Sequence, residues 1–182
     1  MRIVAGDLKG RRLNPPTNLP VRPTTDFAKE SLFNILRNKI DFSSCSALDL
    51  FCGTGGISFE LVSRGIRTVT SVDINPKCIA FINKTKEQFK VDNLFALRSD
   101  AFVYLGRSKM KFDFIFADPP YDMPKFDLVP ELVLKSFLKP GAVFVLEHSK
   151  EHSFVTLPYF TEQRHYGKVN FSFFQRPLEE TL

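Results

Sequence analysis

Asp118-Pro119-Pro120-Tyr121 directly follows the aromatic-rich stretch 112–117 and is the densest group of chemistry-bearing residues in the chain. A carboxylate beside a prolyl carbonyl offers two acceptors, one for each N–H of a primary amine. Two successive prolines fix the backbone and remove competing amide donors. Tyr121 adds a flat face on which a ring can stack. Such a group suits an exocyclic amine on a nucleobase, whose lone pair is delocalised into the ring and must be freed before it can attack. The plain alternative is a proline-rich turn in which Asp118 acts as a cap.

A second group lies near residue 50. Asp49-Leu-Phe51-Cys-Gly53-Thr-Gly55-Gly56 has the glycines of a tight strand-to-helix turn that lets backbone approach a ligand. Asp73 follows Gly53 by about twenty residues, where an acid can accept hydrogen bonds from both hydroxyls of a ribose. Asp100 closes a third apolar run, and Ser58 takes the third-glycine position of the dinucleotide fingerprint. An acidic rim repels a pyrophosphate and suits a nucleoside that carries positive charge and no phosphate, with S-adenosylmethionine the obvious candidate. The alternative is that the glycines only turn the chain and the acids cap helices. No Gly-x-x-x-x-Gly-Lys-Ser/Thr stretch is present to cradle a triphosphate, and no Gly-x-Ser-x-Gly elbow to support serine hydrolysis.

These groups need strand ends to hold them, and the pattern supplies them. Strands are expected at 47–51, 67–73, 94–99, 112–117 and 142–147. Helices are expected from the glycine turn to Gly65, from the Asn75-Pro76 cap to about Lys90, and over 128–138, stopping at Pro140-Gly141. Residues 154–175 alternate and read as two antiparallel strands joined near Tyr166-Gly167. Ahead of this core, 2–13 reads as a short hairpin or basic arm and 14–23 as an extended, proline-rich connector. A helix is expected from a Thr24 or Thr25 cap to about Ile40. Repeated β-α units imply a parallel sheet covered by helices on both faces, with ligands at the carboxyl ends of its strands.

The 182 residues suffice for one domain with a sizeable core. With 43% apolar and 25% charged residues the composition is that of a soluble globular chain. Apolar runs reach only five residues, so no membrane span is expected. The opening residues hold no apolar signal core, and Cys45, Cys52 and Cys78 form no Cys-x-x-Cys pair. A cytoplasmic location with reduced thiols is the expectation. The net charge of +5 sits wholly in residues 1–40, where Arg2, Lys9, Arg11, Arg12, Arg22, Lys29, Arg37 and Lys39 face only Asp7, Asp26 and Glu30. A basic segment on a neutral body suits a polyanion, though it equally suits plain solubility. His148 and His152 with Glu147 and Glu151 lack a third ligand at a known spacing, so no metal is expected. Glu147 ends a strand and either faces the site or is a solvated loop acid.

The Asp49…Gly53-x-Gly55 turn, Asp73, Asp100 and Asp118-Pro-Pro-Tyr121 together resemble a class I S-adenosylmethionine-dependent amino-methyltransferase. The head narrows the resemblance. Arg2-Ile-Val-Ala-Gly6…Lys9-Gly10-Arg11-Arg12-Leu13 and Arg22-Pro-Thr-Thr-Asp26…Lys29-Glu30-Ser-Leu-Phe-Asn34-Ile-Leu36 are similar to the RsmD family of bacterial 16S rRNA guanine-N2 methyltransferases. That resemblance implies a Rossmann-like α/β fold with a mostly parallel seven-stranded sheet, helices on both faces and an antiparallel C-terminal hairpin. It implies a basic arm and helix at 1–40, a methyltransferase unit at 41–176 and a tail at 177–182. Asp49, Phe51, Gly53, Gly55, Asp73, Ile74, Asp100 and Ala101 would serve the cofactor, and Asp118, Pro119, Pro120 and Tyr121 the target guanine. Arg2, Lys9, Arg11, Arg12 and Arg22 would grip RNA phosphate. The implied partner is small-subunit ribosomal RNA or the assembling 30S subunit, met by a monomer. Asp118 stands where many amino-methyltransferases carry Asn. Three other readings are a DNA adenine-N6 methyltransferase, an RNA-binding module without catalysis, and a nicotinamide-dependent oxidoreductase; Ser58 disfavours the last.

Overall fold

The computed structural model describes residues 1–17, 19 and 25–178. Its centre is a seven-stranded sheet in the order β3-β2-β1-β4-β5-β7-β6. The strands are β1 (Ser46–Leu50), β2 (Thr68–Asp73), β3 (Leu94–Arg98), β4 (Phe112–Ala117), β5 (Leu138–His148), β6 (Phe160–Tyr166) and β7 (Val169–Gln175). β1 to β5 run parallel, while β7 pairs antiparallel with both β5 and β6. The order reverses between β1 and β4, and this is where a doubly wound sheet opens a crevice.

Five helices cover the sheet: α1 (Asp26–Leu36), α2 (Gly56–Ser63), α3 (Pro76–Phe89), α4 (Ala101–Arg107) and α5 (Leu128–Ser136). Strand alternation divides the core between two faces. Phe114, Phe116, Val143 and Val145 pack with Leu32, Phe59 and Ile82 of α1, α2 and α3. Their neighbours Ile115, Ala117, Phe144 and Leu146 pack with Leu105 and Val133 of α4 and α5. Much of the chain's phenylalanine fills these two layers, each fully buried ring contributing about 1.5–3 kcal/mol.

Local chemistry sets the ends of the elements. Thr25 caps α1, its side chain accepting from the Ala28 amide at 3.2 Å. Asn75 accepts from the Lys77 amide ahead of Pro76 at the start of α3, and Lys90 ends that helix in the left-handed region. Four elements depart from the sequence expectation. α1 stops at Leu36 rather than Ile40, although turn bonds such as Ile40 N–H to Leu36 C=O continue the coil. α5 stops at Ser136, and β5 starts at Leu138, ahead of Pro140-Gly141. A register shift against β4 and a Gly141 φ of +77° let the strand carry a proline there. α4 was not expected at all.

The head is stitched to α2. Glu60 is fully buried and accepts from the Val4 and Ala5 amides at 3.0 and 3.1 Å. The buried Lys29 ammonium donates to the Arg2 carbonyl and lies 3.6 Å from Glu60. Gly6, at φ +80°, lies so close to Ser63 that a Cβ there would sit 1.7 Å from its carbonyl oxygen. At the other end Gly141 N–H donates to the Arg176 and Pro177 carbonyls, Leu178 is exposed, and the last four residues of the tail lie outside the described residues.

Candidate active site

A cavity of about 500 Å³ opens at the carboxyl ends of β2, β1, β4 and β5. Each strand brings residues to one rim because all four run the same way. β2 delivers Asp73 and Ile74, the end of β3 leads to Asp100 and Ala101, and β4 runs into Asp118-Pro119-Pro120-Tyr121. The Asp118 amide donates to the Leu50 carbonyl at 3.3 Å, which ties the segment to the end of β1 at the switch point.

The glycine turn underlies one wall. Phe51, Gly53 and Gly55 have φ of +59°, +51° and +79°, so the chain coils tightly between β1 and α2. Gly53 N–H donates to Asp73 Oδ2 and Asn75 N–H to Asp73 Oδ1, both at 2.8 Å. Asp73 is thus aimed by two backbone amides, while its carboxylate still borders the cavity. A Cβ on Gly55 would come within 3.0 Å of Ile82, so this glycine also answers to packing against α3. Asp100 caps α4 through the Val103 amide at 3.0 Å.

The residues singled out from the sequence thus divide. Phe51, Asp73, Ile74, Asp100, Ala101 and the whole 118–121 segment line the cavity together. Gly53 and Gly55 shape its floor without lining it. Asp49 does not reach it: at 1% exposure it lies inside the sheet, bonded to Ser58 Oγ, which in turn contacts Ser71 Oγ. Burial pushes the Asp49 carboxyl up to about 7, against the opposing pull of Ser58. Arg2, Lys9, Arg11 and Arg12 are exposed on the head, away from the cavity wall, and Arg22 lies outside the described residues. His148 is buried against Ser172 Oγ and the Ser149 carbonyl, while His152 stacks on Phe126 at 4.3 Å.

Further wall residues come from positions that the sequence did not assign to the site. Thr25 arrives from the α1 cap, Met123 from the loop after Tyr121, and Val169 from β7. Glu147 is 4% exposed, lines the cavity and accepts from Tyr121 Oη at 3.2 Å. Its signal was available in the same rule that marks Asp73 and Asp118, an acid where a parallel strand ends.

The described lining therefore carries four carboxylates (Asp73, Asp100, Asp118, Glu147) and no Lys, Arg or His, beside the apolar Phe51, Val72, Ile74 and Ala101. A phosphorylated ligand would face four acids in this described lining. A cationic nucleoside fits: hydroxyl acceptors at β2, an apolar slot next to it, and acids around.

The family model described as conserved hypothetical protein 95 matches residues 1–175. This chain belongs to that family, the RsmD family. A Bacillus subtilis member, named a putative rRNA methyltransferase YlbH, is 35% identical over 83% of this chain and 84% of its own length. Ribosomal RNA small subunit methyltransferase D of Haemophilus influenzae is 30% identical over 96% of this chain and 93% of its own. The solved structure of the putative methyltransferase yhhF from Escherichia coli superposes with a TM-score of 0.87 at 24% identity, covering 98% of this chain and 99% of that one. That likeness establishes a shared fold over nearly the whole of both chains.

Proposed function

We propose that this protein transfers a methyl group from S-adenosylmethionine to the exocyclic N2 of a guanine in small-subunit ribosomal RNA. The observation that carries the reading is the sharing of one cavity by the Asp73–Ala101 rim and the Asp118–Tyr121 segment. Asp73 would take the ribose hydroxyls, Ile74 and Ala101 would flank the adenine, Asp100 would lie close to it, and Phe51 would close the slot. The cofactor, when bound, supplies a methyl group on a cationic sulfur.

The chain's own part is positioning. Asp118 and the Pro119 carbonyl accept the two hydrogens of the amine and hold it so that its lone pair leaves conjugation with the ring. Tyr121 stacks on the base and sets its plane. The proton shed by the amine passes to the Asp118 carboxylate. Because the reaction consumes charge rather than separating it, alignment in a water-poor cavity outweighs the strength of the base. The target base must leave its stack to reach a recess at the strand ends. The exposed cations Arg2, Lys9, Arg11 and Arg12, with Arg22, would hold the surrounding phosphates.

The test is transfer of labelled methyl from S-adenosylmethionine to small-subunit RNA or particles lacking the mark, followed by mass mapping of the modified nucleotide. The expected product is N2-methylguanine at one position. Asp118→Ala should lower the rate by about a thousandfold while S-adenosylhomocysteine binds within about threefold of normal. Transfer to duplex DNA alone would overturn the substrate while sparing the chemistry, and RNA binding without cofactor binding would overturn both.

A further inference from the structure

A carboxylate and a prolyl carbonyl grip any planar amine alike, those of adenine and cytosine included. A second carboxylate faces the same cavity. Ala117, the last residue of β4, pairs with Leu146 of the neighbouring parallel β5, so Asp118 just past β4 and Glu147 on β5 follow a paired position and line one cavity. Glu147 is 4% exposed and lines the cavity, and the Tyr121 hydroxyl donates to its Oε1 at 3.2 Å. The stacking ring and the second carboxylate are thereby set relative to each other.

We infer that Glu147 selects the base by accepting the N1–H of guanine while Asp118 and Pro119 hold the neighbouring N2 amine. This rests on the methyl-transfer reading above. Among the RNA bases with an exocyclic amine, guanine alone has a ring N–H beside it. Adenine and cytosine present a ring-nitrogen lone pair at that place. A buried carboxylate facing a lone pair loses its hydrogen bond and meets repulsion, and a site built to accept an N–H rejects analogues without one. The positions suit the match: Asp118 lies just past the end of β4, Glu147 near the end of the neighbouring β5, and the Tyr121 hydroxyl bonds the second acid. If Glu147 merely buttressed Tyr121, its loss would slow transfer to every base equally.

The experiment uses small-subunit RNA joined by splinted ligation, so that the position mapped above carries either guanine or 2-aminopurine, and reconstituted into particles. 2-Aminopurine keeps the amine at C2 and replaces the N1–H with a lone pair. Wild-type protein should favour guanine by about a hundredfold in kcat/KM. Glu147→Gln, whose amide can turn to face either edge, should bring the two within about threefold. Tyr121→Phe, which removes the hydroxyl that helps aim the carboxylate, should close the gap part-way. Folding of each variant is checked by the melting shift that S-adenosylhomocysteine causes. A wild-type protein that treats both bases alike overturns the inference, as does an unchanged ratio in either folded variant. Failure of wild-type protein to methylate even the guanine RNA would instead sink the parent reading, and this one with it.

Discussion

Ser58 Oγ on α2 donates to Asp49 on β1 at 2.5 Å, inside the sheet where neither side chain meets solvent. Burial holds the Asp49 carboxyl at about 7, above its ordinary value of 3.8. Between about pH 4 and pH 7 the folded protein keeps a proton that the unfolded chain has released. Stability contributed by this group is therefore complete at low pH and falls as pH rises, levelling off above about 7. The loss is at most about 4 kcal/mol for three pKa units. Asp49→Asn mimics the protonated acid and keeps an acceptor for Ser58. Its melting temperature relative to wild type should be several degrees higher at pH 8 than at pH 5. A difference that stays constant across that range would show that Asp49 does not titrate there.

Asp73 is aimed by the Gly53 and Asn75 amides, so its replacement should be felt first in cofactor affinity. Asp73→Ala removes the ribose acceptor and leaves the Gly53 and Asn75 amides without their partner. S-adenosylhomocysteine should bind about 30- to 100-fold more weakly by calorimetry, as expected for loss of charge-assisted hydrogen bonds worth about 1.5–3 kcal/mol. Melting without ligand should fall only slightly. Unchanged affinity would move the ribose elsewhere in the cavity.

The sequence carried the parallel core because β1, β2 and β4 are short stretches rich in apolar and β-branched residues that end at an acid or a glycine turn. It carried the cavity's two ends for the same reason. It did not carry α4: only Ala101 and Leu105 of its seven residues are buried, too few for a visible stripe, and Asp100 acts as both strand-end acid and cap. Asp49 misled because strand alternation puts a residue inside or at the rim according to where β1 ends. It ends at Leu50, with Phe51 rather than Asp49 at the cavity. The Glu60–Lys29 pair was invisible, since its partners are brought together only when α1 lies on α2.

That pair gives a third prediction. Glu60 takes the Val4 and Ala5 amides and Arg64, and it neutralises Lys29, whose side chain is 1% exposed. Glu60→Gln keeps an acceptor but leaves the ammonium buried with, among the described carboxylates, the half-exposed Asp26 at 3.6 Å. Breaking a buried pair from one side costs about 3–5 kcal/mol, and Asp26 should hold the loss to the lower end. Urea unfolding should shift accordingly, and trypsin should cut sooner at Arg11 and Arg12. Gly6→Ala should loosen the same segment through its clash with Ser63. An arm that stays protected in both variants would mean that other interactions hold it.

The head's cations give the last prediction. Arg2 and Arg12 face each other across an antiparallel bridge, and both are exposed. Residues directly opposite in such a pair project from one face, so the two guanidinium groups form a doubled positive charge rather than scattered ones. Every RNA phosphate that is no longer neutralised should reduce the slope of log affinity against log salt by about 0.7–0.9. The double variant Arg2→Gln/Arg12→Gln should therefore flatten the slope for small-subunit RNA by about 1.5 and weaken binding similarly for unrelated RNA sequences. Neither side chain borders the cavity, so S-adenosylhomocysteine affinity should not move. A slope equal to that of the wild type would show that RNA passes the head by, and that the excess charge of residues 1–40 serves solubility alone.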